Sequence, residues 1–86
     1  MVYHEEHMAK YRKKPVVVEA TQFDDVLAHD PPGIFRREQD GNPYVVTIHG
    51  QMTPVVRGDW IIQEPDGKHY YPCKPDIFAK IYESVT

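Results

Sequence analysis

The sequence predicts an α+β, mostly β fold: a small curved antiparallel sheet, or a partly open barrel, of five to six short strands with one or two short helices. Three observations predict it. Short runs rich in β-branched and aromatic residues recur along the 86-residue chain, eight prolines and five glycines punctuate them, and helix signals are confined to two short stretches. A chain of this length buries only about 60% of its unfolded surface, so its core must be small and contiguous.

Residues 1–7, MVYHEEH, carry no period and are expected to form a flexible extension ahead of one globular domain over 8–86, with Met8 as an alternative start. From Val16 to Phe23 the chain alternates as a strand with one face in the core, entered through Arg12, Lys13, Lys14 and Pro15. Residues 24–29 suit a short helix with Asp24 as N-cap, stopped by Pro31-Pro32-Gly33. A loop is expected over 30–43, pinned to the core by Ile34 and Phe35. Strands over 44–49 and 52–56 flank the Gly50-Gln51 turn, and Tyr44, Val46 and Ile48 share one face of this half-buried hairpin. Arg57-Gly58-Asp59 turns the chain into a strand over 60–64. Pro65-Asp66-Gly67 is a reverse turn, and a fifth strand follows over 69–72. Pro75 and Asp76 open one helical turn over 75–79, after which the alternation of 80–85 predicts a closing strand.

A formal net charge of −3, with 41% hydrophobic and 27% charged residues, does not fit a strongly basic nucleic-acid binder. The lone Cys73 cannot form an internal disulfide, which points to a reducing compartment. The start shows no leader pattern, and no apolar run approaches the ~20 residues of a membrane helix. Arg57-Gly58-Asp59 spells the tripeptide of integrin ligands, but its place against Trp60-Ile61-Ile62 makes it a turn before a core strand.

No enzymatic constellation emerges. His4 and His7 form an H-x-x-H pair and His69 lies near Cys73, yet zinc needs three or four converging ligands, so neither a metal nor another cofactor is expected. A Cys73 nucleophile activated by His69 has no second catalytic signature beside it. The candidate binding residues are basic and aromatic: Tyr11, Arg12, Lys13 and Lys14 at the start, Arg57 in the central turn, and Tyr70 and Tyr71 on a late strand. Lys10, Arg36 and Arg37 could extend the basic run toward phosphate, against the acidic net charge. Core packing is the expected role of Trp60.

The stretches KYRKKPVVVEATQF (10–23), GDWII (58–62) and YYPCKPDIFAKIYE (70–83) together resemble a group of small proteins of tailed bacteriophages and prophages. That group combines a YRKKPV-type start, a central PGD-W/Y-II turn and a YPCKPDIF-type end, and the resemblance spans nearly all of 8–86. It implies a viral accessory protein acting in the cytoplasm of a bacterial host, and it supplies no catalytic residues. Two departures stand out: the stretch after Phe23 is richer in proline than in the relatives, and Arg57 stands where they often carry proline. The function expected is non-enzymatic binding to a host protein. Alternatives are a small-ligand binder of nucleotide type, with oligomers possible, and a weak nucleic-acid binder through 10–14.

Overall fold

A computed structural model describes residues 8–12, 14–24 and 29–85. The expected flexible 1–7 extension and most of the expected helix over 24–29 lie outside those residues. Among the described residues the fold is mostly β, with six strands and one helix in the order β1 (Ala20–Gln22), β2 (Phe35–Arg36), β3 (Pro43–Val46), β4 (Met52–Pro54), β5 (Trp60–Gln63), β6 (Tyr70–Cys73) and α1 (Pro75–Ile81). The strands form two antiparallel three-stranded sheets, β1-β5-β6 and β2-β3-β4, and no closed barrel.

Strand β5 is the middle of the first sheet, and its two successive isoleucines explain the layering. Ile61 and Ile62 point to opposite faces, and both are buried. Ile61 joins Phe23, Val45 and Val55 in the core between the sheets, with Ile34 and Tyr70 packed against it. On the other face, Trp60 stacks on Phe78 of α1 with ring centroids 4.2 Å apart, and Phe78 stacks on Tyr82 at 4.9 Å. The helix is thus laid over the sheet by an aromatic ladder.

That ladder also explains why the end of the chain departs from expectation. The helix continues to Ile81 and no strand follows over 82–85. Phe78 and Tyr82 meet only at the i,i+4 spacing of a helix, so burying both aromatics overrides the alternation of 80–85. The Tyr82 N–H still donates to the Phe78 carbonyl at 2.9 Å, while Tyr82 itself is extended.

Two more expectations are corrected at the N-terminal half. The strand expected over 16–23 is ladder-paired only over Ala20–Gln22. The Gln63 N–H donates to the Glu19 carbonyl at 3.0 Å, and β5 then ends at the Pro65 turn. The described residues before Glu19 therefore run past the end of their partner as an arm outside the ladder. The expected loop 30–43 contains strand β2, because Arg36 folds the loop onto itself. Its Nε and Nη2 donate to Asp30 at 3.0 and 2.7 Å, and its Nη1 donates to the Gly41 carbonyl at 3.0 Å. Asp30 is held below the usual carboxylate range, chiefly by the Arg36 hydrogen bond.

The Arg57-Gly58-Asp59 segment is a turn, and its aspartate is structural. Gly58 takes a φ of 95°, which favours glycine. Asp59 is buried: one carboxylate oxygen accepts the Val56 N–H at 3.0 Å and the other meets the Lys74 ammonium at 2.9 Å. The adjoining backbone binds the end of β1, with Phe23 N–H donating to Asp59 O at 2.7 Å and Gly58 N–H to Phe23 O at 2.9 Å. An adhesion ligand would need that carboxylate exposed.

The Pro65-Asp66-Gly67 turn is held by Asp66, which accepts the Lys68 and His69 N–H groups at 2.9 and 3.0 Å and pairs with the His69 ring. The His69 ring first, and then the two amides, hold the Asp66 carboxyl at about 2. An unfolded aspartate titrates near ~3.9. Since the folded value is the lower one, this contribution to stability is complete above about pH 4 and is lost as pH falls toward 2. The urea midpoint of the native chain is expected to exceed that of Asp66→Asn near neutrality and to converge on it by pH 2. A gap that stayed constant down to pH 2 would show that the carboxylate does not stabilise the turn.

Candidate functional site

The register of β2-β3-β4 decides which side chains share a face. Residues opposite one another across a ladder point the same way, and neighbours along a strand point apart. Phe35, Tyr44 and Pro54 therefore form one row, with Val46 and Met52 in the next. Val45 and Thr53 belong to the opposite face, and Val45 is fully buried. The face expected to be the hairpin's apolar side, Tyr44, Val46 and Ile48, is thus the outward one, and Val45 and Thr47 are the buried pair.

This outward face is apolar and open. Phe35 is 53% exposed and Met52 60%, while Tyr44 and Val46 are half-buried. Of the two residues expected to pin the loop to the core, Ile34 packs against it, whereas Phe35 stacks on Tyr44 with centroids 5.7 Å apart. The clue in the sequence was the consecutive apolar run Tyr44-Val45-Val46. A hairpin with water on one side alternates, whereas a strand apolar at successive positions has both faces covered.

A second feature is a groove of about 1140 Å³ at the other end of the first sheet. One wall is the arm, from Lys14 to Glu19; the facing walls include Ile48, Glu64, Pro65, Tyr71 and Ile81. The Tyr71 hydroxyl meets that of Tyr82 at 3.1 Å. Burial first, and then this hydrogen bond, raise the Tyr71 phenol well above its usual value. Glu64 accepts the Ile48 N–H at 2.9 Å and so ties the β3–β4 turn to β5.

The residues singled out from the sequence are distributed over these features. Tyr11, Arg12 and Lys14 lie exposed on the arm, and Lys13 lies outside the described residues. Lys14 and Tyr71 line the same groove. Tyr70 points to the opposite face, against the core. Arg57 sits at the far end of β5, where its Nε lies 3.5 Å from Asp24. Arg36 and Arg37 do not extend the arm's basic run, since each is ion-paired within its own loop, with Asp30 and Asp40.

The chemical constellations stay apart. Cys73 and His69 are separated along β6 by about 13 Å, and the His69 ring is engaged by Asp66. Among the described residues no three His, Cys, Asp or Glu side chains converge. No described helix is long and apolar enough to cross a membrane. No protein family, curated protein or solved structure matches the chain.

Proposed function

We propose that the chain is a phage-type accessory protein that works by non-enzymatic binding to a host protein in the bacterial cytoplasm, through the outward face of β2-β3-β4. The motifs at 10–23, 58–62 and 70–83 support the viral setting. One observation carries the binding: Phe35, Tyr44, Val46, Met52 and Pro54 lie in adjoining rows on a face opposite the buried Val45. A contiguous apolar patch on a small domain marks a contact surface, and aromatic anchors dominate such contacts. The nucleotide-type alternative draws less support, because two of the three candidate binding aromatics are engaged within the protein. Tyr70 packs on the core and Tyr71 is bonded to Tyr82.

The test compares the native chain with Phe35→Asp and Met52→Asp, each expected to fold normally because both side chains are exposed. A host protein captured from bacterial lysate by the native chain should bind again when both are purified. Its dissociation constant should rise at least about tenfold for either variant. The reading fails if no protein is captured reproducibly, or if the purified partner binds the variants as tightly as the native chain.

A further inference from the structure

We propose that the outer edge of β1 is a strand-addition site filled by the same edge of a second copy, antiparallel and centred on Val18, so that two β1-β5-β6 sheets join across a two-fold axis. The ladders fix which backbone groups point away from each sheet. The Glu19 carbonyl and both backbone groups of Phe23 bond to the β5 side, so the N–H and C=O groups of Ala20 and Gln22 turn outward. On β6 the Glu64 N–H donates to the His69 carbonyl, which sets Tyr71 and Cys73 inward and leaves Tyr70 and Pro72 outward. On β4 the Val55 N–H donates to the Pro43 carbonyl, which leaves Met52 and Pro54 outward. Proline has no N–H to give, and an edge that presents one rejects a further strand. Two edges, β4 and β6, therefore carry a proline at an outward position, and a third, β2, is only two residues long. Among the described strands, β1 is the edge with neither safeguard.

The chain just ahead of β1 fits the same use. Val16-Val17-Val18 is a β-branched run, Val16 and Val17 are 68% and 74% exposed, and β5 ends before it can pair them. As a strand, this run continues the outward set from Ala20 to Val18 and Val16. Pro15 falls on the inward set, so its missing N–H does not face an incoming strand. The occupant follows from how the run matches itself. Centred on Val18, an antiparallel second copy sets Val18 opposite its own counterpart, Val16 opposite Ala20, Val17 opposite Glu19 and Lys14 opposite Gln22. Apolar side chains then meet along one face and no like charges oppose one another. Moving the centre to Glu19 sets two carboxylates face to face, and moving it to Ala20 sets Val16 opposite Asp24. Identical edges paired antiparallel satisfy a two-fold axis, so the assembly closes at two copies. About nine residues a side is fewer than the ~20 of a standard interface, which sets the expected dissociation constant at roughly 10–100 µM. The outward face of β2-β3-β4 is not used, so the dimer would present it twice.

Sedimentation of the purified full chain is expected to pass from one chain mass at about 1 µM to two at about 1 mM. Val18→Pro removes an outward N–H and no bond of the β1–β5 ladder. The variant monomer should therefore melt close to the native chain, while dimerisation weakens by at least about thirtyfold. Phe35→Asp should leave the dimer unchanged. In a Cys73→Ser background, Val18→Cys should close a disulfide between two chains, because a bonded antiparallel pair holds its Cα atoms ~5.5 Å apart, within disulfide reach. Val16→Cys, about 14 Å from its counterpart in this register, should not. A monomer at about 1 mM overturns the proposal, as does a dimer that Val18→Pro leaves intact or that cross-links through Val16→Cys as readily as through Val18→Cys. So does a native chain that stays monomeric and loses a captured host protein on Val18→Pro, which would assign this edge to a host strand. Val18→Pro and Phe35→Asp act on separate surfaces, so this proposal and the binding function fail independently.

Discussion

Gly33→Ala is expected to destabilise the chain by about 3–5 kcal/mol, among the largest losses available to a single methyl group. Two costs coincide there. Gly33 holds a φ of 93°, a region that costs an L-residue ~1–2 kcal/mol. A Cβ built on it would also lie 2.3 to 2.8 Å from three ring atoms of Tyr70. That ring packs on the core cluster and cannot retreat without opening it. Gly41→Ala is the control, since Gly41 has a φ of 73° and nothing within 4 Å of the added atom, so only the backbone cost of ~1–2 kcal/mol applies. A thermal or urea melt of both variants separates the terms. If Gly33→Ala lost no more than Gly41→Ala, the close approach of the 32–33 turn to Tyr70 would be wrong.

Asp59→Ala is the second substitution expected to cost several kcal/mol. The Asp59 side chain is only 3% exposed, so its removal takes an acceptor and a charge from a site where water does not readily replace them. The Val56 N–H loses its acceptor and Lys74 its counter-ion, and an unsatisfied partly buried amide alone costs about 1–3 kcal/mol. Asn at this position keeps the shape and one acceptor for Val56 while losing the charge. Asp59→Asn should therefore lose about half as much, and Lys74→Ala less again, because the lysine side chain is 58% exposed and its ion pair is screened. The ranking Ala, then Asn, then the lysine variant, read from urea midpoints, tests whether the carboxylate acts mainly through the turn. A lysine variant as damaging as Asp59→Ala would shift the role to the ion pair.

What the sequence disclosed and what it hid divide along physical lines. Strand positions next to strong turn chemistry were legible: Pro65-Asp66-Gly67 and Gly58-Asp59 bracket β5 within a residue of its observed ends. The missed features depend on partners remote in sequence. Strand β2 exists because Arg36 reaches Asp30 and Gly41, and two residues carry no periodicity by themselves. The strand over 16–23 has the right composition throughout, but pairing requires β5 alongside, and β5 ends first. At the candidate surface the alternation Tyr44, Val46, Ile48 was visible while its direction was not. Parity identifies two faces of a hairpin, and only the position of the β1-β5-β6 sheet decides which one meets Ile61. Tyr70 and Tyr71 illustrate the same limit, since neighbours of identical type were sent to opposite faces, one to the core and one to the groove.

The pairing of β1 with β5 has a consequence for the order of events when the chain folds. Ala20 meets Ile62 across about forty residues of intervening chain, whereas β3–β4 and β5–β6 are joined by short turns. Closing the long span costs chain entropy before any of its contacts can compensate, so the two hairpins are expected to assemble early and β1 to arrive last. Phe23 is then the closing bolt. Its ring completes the core cluster, and its amide and carbonyl reach Asp59 and Gly58 only once the rest of the β5 turn is in place.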